Sequence, residues 1–203
     1  LGIEAGLLKE LREQTRTEHT RIESVLQLTR PMSVARYASV MAGFHEFLQR
    51  WEPRVASALP AHLRDWSAKR KRSGFAADDL RQLGVPHTPH LAHAAERAVR
   101  SIPMNDAAGA LGSMYVIEGS ALGGQVITPM LKQHLGLTPA TGAGYFHGHG
   151  PATAAMWRDF REVIARELGD DDAAARSACH SARRTFAALC EVFEGLPVEG
   201  LPA

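Results

Sequence analysis

The run GALGSMYVIEGSALGGQVI, residues 109–127, limits what this chain can fold into more than any other stretch. Glycines occupy positions 109, 112, 119, 123 and 124, and each costs a helix interior about 0.8–1 kcal/mol relative to alanine. A solvated surface helix would not be assembled this way. The residues between them include Leu111, Met114, Tyr115, Val116, Ile117 and Leu122. The segment therefore reads as a buried helix, capped by Asn105 or Asp106, reaching His134 and closed by Gly136. Glycines in such a helix either let a second helix approach closely or let the backbone bend and lie against something flat. From these residues alone both uses stay open.

The remaining punctuation is helical. Leu7, Leu8, Leu11, Thr15, Ile22 and Leu26 recur at three- and four-residue steps, predicting one amphipathic helix closed by Pro31. Ser33 caps a second run that carries Tyr37, Phe44, Phe47 and Trp51 on one face, with Pro53 as a kink or interruption and an end near Pro60. Residues 61–74 are polar and contain Lys69-Arg70-Lys71-Arg72, which reads as a connection or a solvated helix end. Shorter helices are expected at 77–83 and 91–101, and two longer ones at about 152–168 and 171–195, after a glycine-rich stretch at 142–150. Nowhere do β-branched residues alternate between turn signals, so the fold class is all-α. No repeat or composition shift marks a boundary, and residues 1–203 are expected to form a single helical domain.

Composition excludes several classes. Hydrophobic residues are 45% and charged residues 22%, with 23 Lys and Arg against 22 Asp and Glu, an ordinary globular balance that provides no global field for nucleic acid. No apolar stretch approaches the roughly 18–20 residues that span a bilayer, and the first residues lack the pattern of a signal peptide. Cys179 and Cys190 are 11 residues apart in one helical segment, about 16 Å along its axis, too far for a disulfide. Buried thiols in a reducing cytoplasm are the expectation.

His19 is the second unusual residue. It sits close to the apolar stripe of the first helix, with Glu23 four residues on and within reach of its ring. Such a histidine is either a satisfied core residue or an axial ligand whose other nitrogen meets an acceptor.

Together, LREQTRTEHTRIE at 11–23 and YVIEGSALGGQVI at 115–127 resemble the proximal and distal helices of the heme oxygenases, particularly the bacterial branch linked to phytochromes. The resemblance extends to DDLRQLG at 78–84, YFHGHGPATAAMWRDF at 145–160 and TFAALCEVF at 185–193, in the family's order. It implies a multi-helical bundle with heme between a proximal helix and a glycine-kinked distal helix. It also implies oxidative cleavage of heme to biliverdin, CO and iron. His19 would be the iron ligand and Glu23 its partner. Gly119, Gly123 and Gly124 would let the distal backbone cross within contact of the porphyrin, where it can tilt bound O₂ toward one meso edge. Animal members carry an aspartate after the first of these glycines. Here Ser120 stands in its place, able to hold water but not charge. Arg12 and Arg158 are the cations implied for the propionates, and Tyr115, Phe186 and Phe193 are pocket walls or plain core.

No dinucleotide fingerprint occurs, so the electrons would come from a reductase, ferredoxin or flavodoxin. A bilin-binding phytochrome would be the product acceptor, and the expected state is a cytoplasmic monomer with neither nucleic-acid nor membrane partners. The rival from another class is a heme-binding carrier or sensor that does not turn over. A cofactor-free helical scaffold is the reading from composition alone. His87, His90 and His93 are close in sequence but are joined by no carboxylate or thiolate at ligand spacing. His147 and His149 read as surface residues of a glycine loop, and the 69–72 run as a solvated connection or a docking point for an acidic electron donor.

Overall fold

The computed structural model describes residues 2–85 and 89–196. Among these described residues ten α-helices follow one another: α1 (Gly2–Gln14), α2 (Arg16–Leu26), α3 (Val34–Ala58), α4 (Ala61–Ala68), α5 (Ser73–Gln82), α6 (Pro89–Arg100), α7 (Ala107–Leu135), α8 (Gly144–His147), α9 (Thr153–Leu168) and α10 (Asp172–Glu194). No strand occurs among the described residues, as the all-α expectation requires.

Local chemistry sets most of the boundaries. Ser33 caps α3 by accepting from the Arg36 N–H, and Asp106 caps α7 by accepting from the Gly109 N–H. Gly136 ends α7 in the left-handed region at φ 70°, where a Cβ would be strained. Pro53 does not interrupt α3, which runs through it.

The expected first helix is two. At Thr15 the backbone leaves helical geometry (φ −104°, ψ 1°), and the Thr15 hydroxyl donates to the Leu11 carbonyl at 2.7 Å, a back-bond that bends helices. Residues 61–74, expected as a connection or a solvated helix end, form α4, a non-helical connection at 69–72 and the start of α5.

Helix α10 is the hub, packing against α7, α2, α6, α1 and α3. It meets α7 at Gly112, where an added Cβ would run into the Ala178 backbone. A buried chain of hydroxyls ties three helices there: the Trp51 indole donates to Ser113 at 2.7 Å, and Ser113 pairs with Thr185 at 2.7 Å. One core cluster, with Leu11, Tyr37, Phe47, Leu111 and Phe160 fully enclosed, joins all the longer helices. Helices α2 and α7 each pack closely on α10 and not closely on one another.

The glycine loop before α9 is pinned from α5 and α3. The Asp79 carboxylate accepts from the Gly144 and Tyr145 N–H groups at 2.7 and 2.8 Å, and the Tyr37 hydroxyl donates to the Gly142 carbonyl at 2.9 Å. This fixes the carbonyl of Phe146 against α7. Among the described residues no helix is long and apolar enough to cross a membrane, and Cys179 and Cys190 are buried and unpaired. Burial pushes the Cys179 thiol up to about 11, so it stays protonated and unreactive at neutral pH.

Candidate active site

The five glycines of α7 divide by face. Gly109 and Gly112 pack against backbone of neighbouring segments, at Pro103 and Ala178, and Gly124 abuts the Phe146 carbonyl oxygen. These are close-packing glycines. An added Cβ on Gly119 would meet only the edge of the Trp157 ring, at 3.8 Å, and one on Gly123 only Ile127 of its own helix, at 3.9 Å. Gly119 and Gly123 are thus the pair whose missing side chains leave an open strip. Tyr115, one turn earlier, continues it. The expectation that Gly124 shares this face is corrected: the approach of α8 occupies its side of the helix. Alanine at Gly124 is expected to cost about 1–3 kcal/mol by overpacking. At Gly119 or Gly123 it is expected to add up to about 1 kcal/mol of stability from helix propensity. Chemical denaturation of the three variants would show the opposite signs.

His19 stands on α2 with 57% of its side chain exposed, not within the core. Its ring meets Phe186 of α10 edge-on, 5.7 Å between centroids. Its Nδ1 is 3.6 Å from the Glu23 carboxylate, an ion-pair distance that is long for a hydrogen bond. Its backbone N–H donates to the Thr15 carbonyl at 2.9 Å, so the bend at Thr15 sets the turn that presents it. Thr15 also borders Tyr115. Burial pushes the Tyr115 phenol up, and the neighbouring Arg12 guanidinium and Thr15 hydroxyl offset part of that rise. Arg12, Thr15 and Tyr115 thereby bring the α1–α2 bend to the open strip of α7. Arg12 lies across that bend from His19 rather than on one straight helix. Arg158 is exposed on α9, one residue beyond Trp157.

Phe193 belongs elsewhere. Its ring packs on Phe44, 4.7 Å between centroids, and on Gly43. It also lines a cleft of about 490 Å³ with Leu26, Met32 and Leu196, past the C-terminal end of α2. It is a core residue and not a neighbour of His19's ring.

Sequence reasoning missed the polar floor beneath α7. Arg70 and Arg72 are buried, the Arg70 side chain only 4% exposed, which corrects their assignment to a solvated connection. Arg70 pairs with Glu118 at 2.7 Å and with Asp159, and donates to the Met156 carbonyl at 2.9 Å. Burial pushes the Glu118 carboxyl up, against the pull of Arg70 and Arg72. Arg72 donates to the carbonyls of Ile117 and Tyr145 at 3.3 and 2.8 Å and to the Ser120 hydroxyl at 3.3 Å, and lies 4.3 Å over the Tyr145 ring. The signal was the alternation of residue types: the lysines at 69 and 71 face outward and the arginines at 70 and 72 inward, in keeping with arginine's suitability for buried multidentate pairing.

Ser120 donates its proton to the Ile117 carbonyl at 2.7 Å while accepting from Arg72. A hydroxyl has one proton, so Ser120 offers a further partner only an acceptor. Of the two histidines read as surface residues, His147 is exposed and His149 is half-buried: its ring lies edge-on to Phe75 at 5.4 Å, and burial, with the charges of Arg72 and Arg70, pushes its pKa down. His87 and the His90 side chain lie outside the described residues, and no cluster of three or more His, Cys, Asp or Glu able to hold a metal ion occurs among the described ones.

A heme oxygenase family model matches residues 5–195. The chain belongs to the heme oxygenase family. A heme oxygenase of Xanthomonas campestris is 34% identical over 153 residues, covering 74% of this chain and 84% of that protein. The fold matches the heme oxygenase of Leptospira interrogans with a TM-score of 0.77 at 17% identity, over 94% of this chain and 99% of that one. It also matches heme oxygenase-1 of Synechocystis in complex with heme, with a TM-score of 0.72 at 19% identity, over 93% and 90%. The protein is thus a heme-binding enzyme of heme degradation. As a heme oxygenase it draws its electrons from a separate donor. The open strip of α7 and the exposed imidazole of α2 are the features to which that chemistry has to be fitted.

Proposed function

We propose that this heme oxygenase cleaves heme to biliverdin, CO and iron, and that His19 would hold the iron while the heme would lie on the Tyr115–Gly119–Gly123 strip. One observation carries the reading: a 29-residue helix packed tightly at Gly112 and Gly124 has two further glycines whose Cβ positions face no backbone at all. Two helix-weakening residues kept where no protein atom needs the room fit a flat ligand lying there. Bound heme supplies the O₂ chemistry, being both substrate and site of oxygen activation.

The chain's own residues orient and wall. His19 presents its imidazole from the turn set by Thr15, steadied by the Phe186 ring, and Glu23 biases the Nδ1 side. Arg12 and Arg158 are exposed cations suited to the propionates. Trp157 closes the strip beside Gly119. Ser120, committed as a donor to Ile117, orders water by accepting from it, its oxygen already accepting from Arg72. Electrons come from a reductase, ferredoxin or flavodoxin, and a bilin-binding phytochrome is the proposed acceptor of the product.

Leucine at Gly119 or Gly123 tests the strip. Each variant should unfold at or above the wild-type denaturant midpoint and bind hemin at least about tenfold more weakly, the cost of a steric mismatch of about 1.4 kcal/mol. Unchanged hemin affinity in a folded variant would place the heme elsewhere.

A further inference from the structure

Trp66 and Trp157 belong to one continuous line of aromatic rings. Tyr115 of α7 lies 5.9 Å from Trp157 of α9. Trp157 stacks on Phe160 at 5.6 Å with 17° between planes, and Phe160 stacks on Trp66 of α4 at 6.2 Å with 14°. The inner end of the line touches the open strip, since Trp157 is the ring that an added Cβ on Gly119 would meet. The outer end is half-buried at the surface. There the Trp66 indole N–H donates to the Asp159 carboxylate at 2.6 Å, and the Arg70 guanidinium lies 4.3 Å over the ring. Filling this space would require only apolar volume. Two indoles each stacked on one phenyl, one at the site and one at the surface with a proton acceptor, are more than packing needs.

We infer that Trp157, Phe160 and Trp66 form an escape path that carries oxidising equivalents from the heme site to the α4–α9 surface. The inference rests on the proposed placement of heme on the Gly119–Gly123 strip. Reduction of an organic hydroperoxide at the bound heme consumes two electrons and two solvent protons and yields an alcohol and water. Both electrons are drawn from the heme. Trp157 returns one of them, and Trp66 replaces that electron across Phe160, whose phenyl ring bridges the two indoles without being oxidised. Trp66 is then one electron short, and its N–H proton passes along the hydrogen bond to Asp159. The Arg70 charge over the ring disfavours a positive indole and so promotes this departure. A one-electron donor from solution, such as ascorbate, restores Trp66, the proton returning from Asp159, and a second passage along the same rings returns the other electron to the heme.

The test begins with hemin-loaded protein, whose Soret band reports binding. Cumene hydroperoxide is added without ascorbate, freeze-quenched samples are examined by electron paramagnetic resonance, and oxidised residues are located by peptide mass spectrometry. Wild type should give an indolyl radical and oxidation products at Trp66, both suppressed by ascorbate. Trp157→Phe keeps an aromatic ring beside the strip and, compared at equal heme loading by its Soret absorbance, should lose most of the oxidation at Trp66. Trp66→Phe should instead accumulate oxidation at Trp157. Equal oxidation of Trp66 in Trp157→Phe or in heme-free protein would overturn the path, as would a normal Soret band with no indolyl radical. A missing Soret band in wild type would overturn the placement of heme, and the path with it.

Discussion

Alanine at position 19 should leave the protein folded and abolish its defined heme ligation. The His19 side chain is largely exposed and meets Glu23 and Phe186, so its truncation should change stability by no more than about 0.5 kcal/mol. The effect on the metal is of another size. Groups one shell beyond a ligand are typically worth about 10–100-fold in metal affinity or activity, so loss of the ligand itself should lower turnover by at least about 100-fold. The ferrous His19→Ala complex should lack an iron–histidine stretching band in its Raman spectrum, and added imidazole should restore both band and turnover. Removing Glu23 should cost much less, because its carboxylate sits 3.6 Å from Nδ1. A His19→Ala protein with the wild-type Raman band and turnover would remove His19 from the site.

Methionine at position 70 should produce the largest loss of stability. Arg70 is enclosed by Glu118, Asp159, the Met156 carbonyl and the Trp66 ring. Taking the cation away leaves the Glu118 carboxylate, only 11% exposed, without its partner. Breaking such a buried pair from one side typically costs about 3–5 kcal/mol. Part of that cost should return in Arg70→Met combined with Glu118→Gln, where no buried anion is stranded. Urea unfolding gives both values. Burial raises the Glu118 pKa, so the single variant should recover by protonating Glu118 as pH falls through the carboxylate range. A single variant that loses less than about 1 kcal/mol would mean that the pair is hydrated rather than buried.

The helices were legible because each carries its own period and its own stops. Ser33, Asp106 and Gly136 perform the capping that their residue types predict. The bend at Thr15 was hidden, since a threonine back-bond leaves the spacing of the apolar stripe nearly unchanged. At the site, the anomaly of five glycines in one buried helix was visible in the sequence, but its division was not. Gly124 and Gly119 are indistinguishable until α8 arrives at one and not the other. The buried arginines at 70 and 72 resembled a solvated charge run because their partners are distant in sequence: Glu118 and Asp159 lie 48 and 89 residues from Arg70, and Tyr145 lies 73 residues from Arg72. Phe186 and Phe193 share a helix, yet only Phe186 meets His19, a distinction made by the neighbours of α10 and not by α10 itself.

The most direct test of the account is to load the protein with hemin, add ascorbate in air, and follow the absorption spectrum together with released CO. The expected result is a Soret band that decays as biliverdin absorption appears, with CO released in proportion to the heme consumed. A His19-dependent Soret band that persists through ascorbate, and through a reductase with ferredoxin, would contradict the account and make this chain a heme carrier on an oxygenase fold.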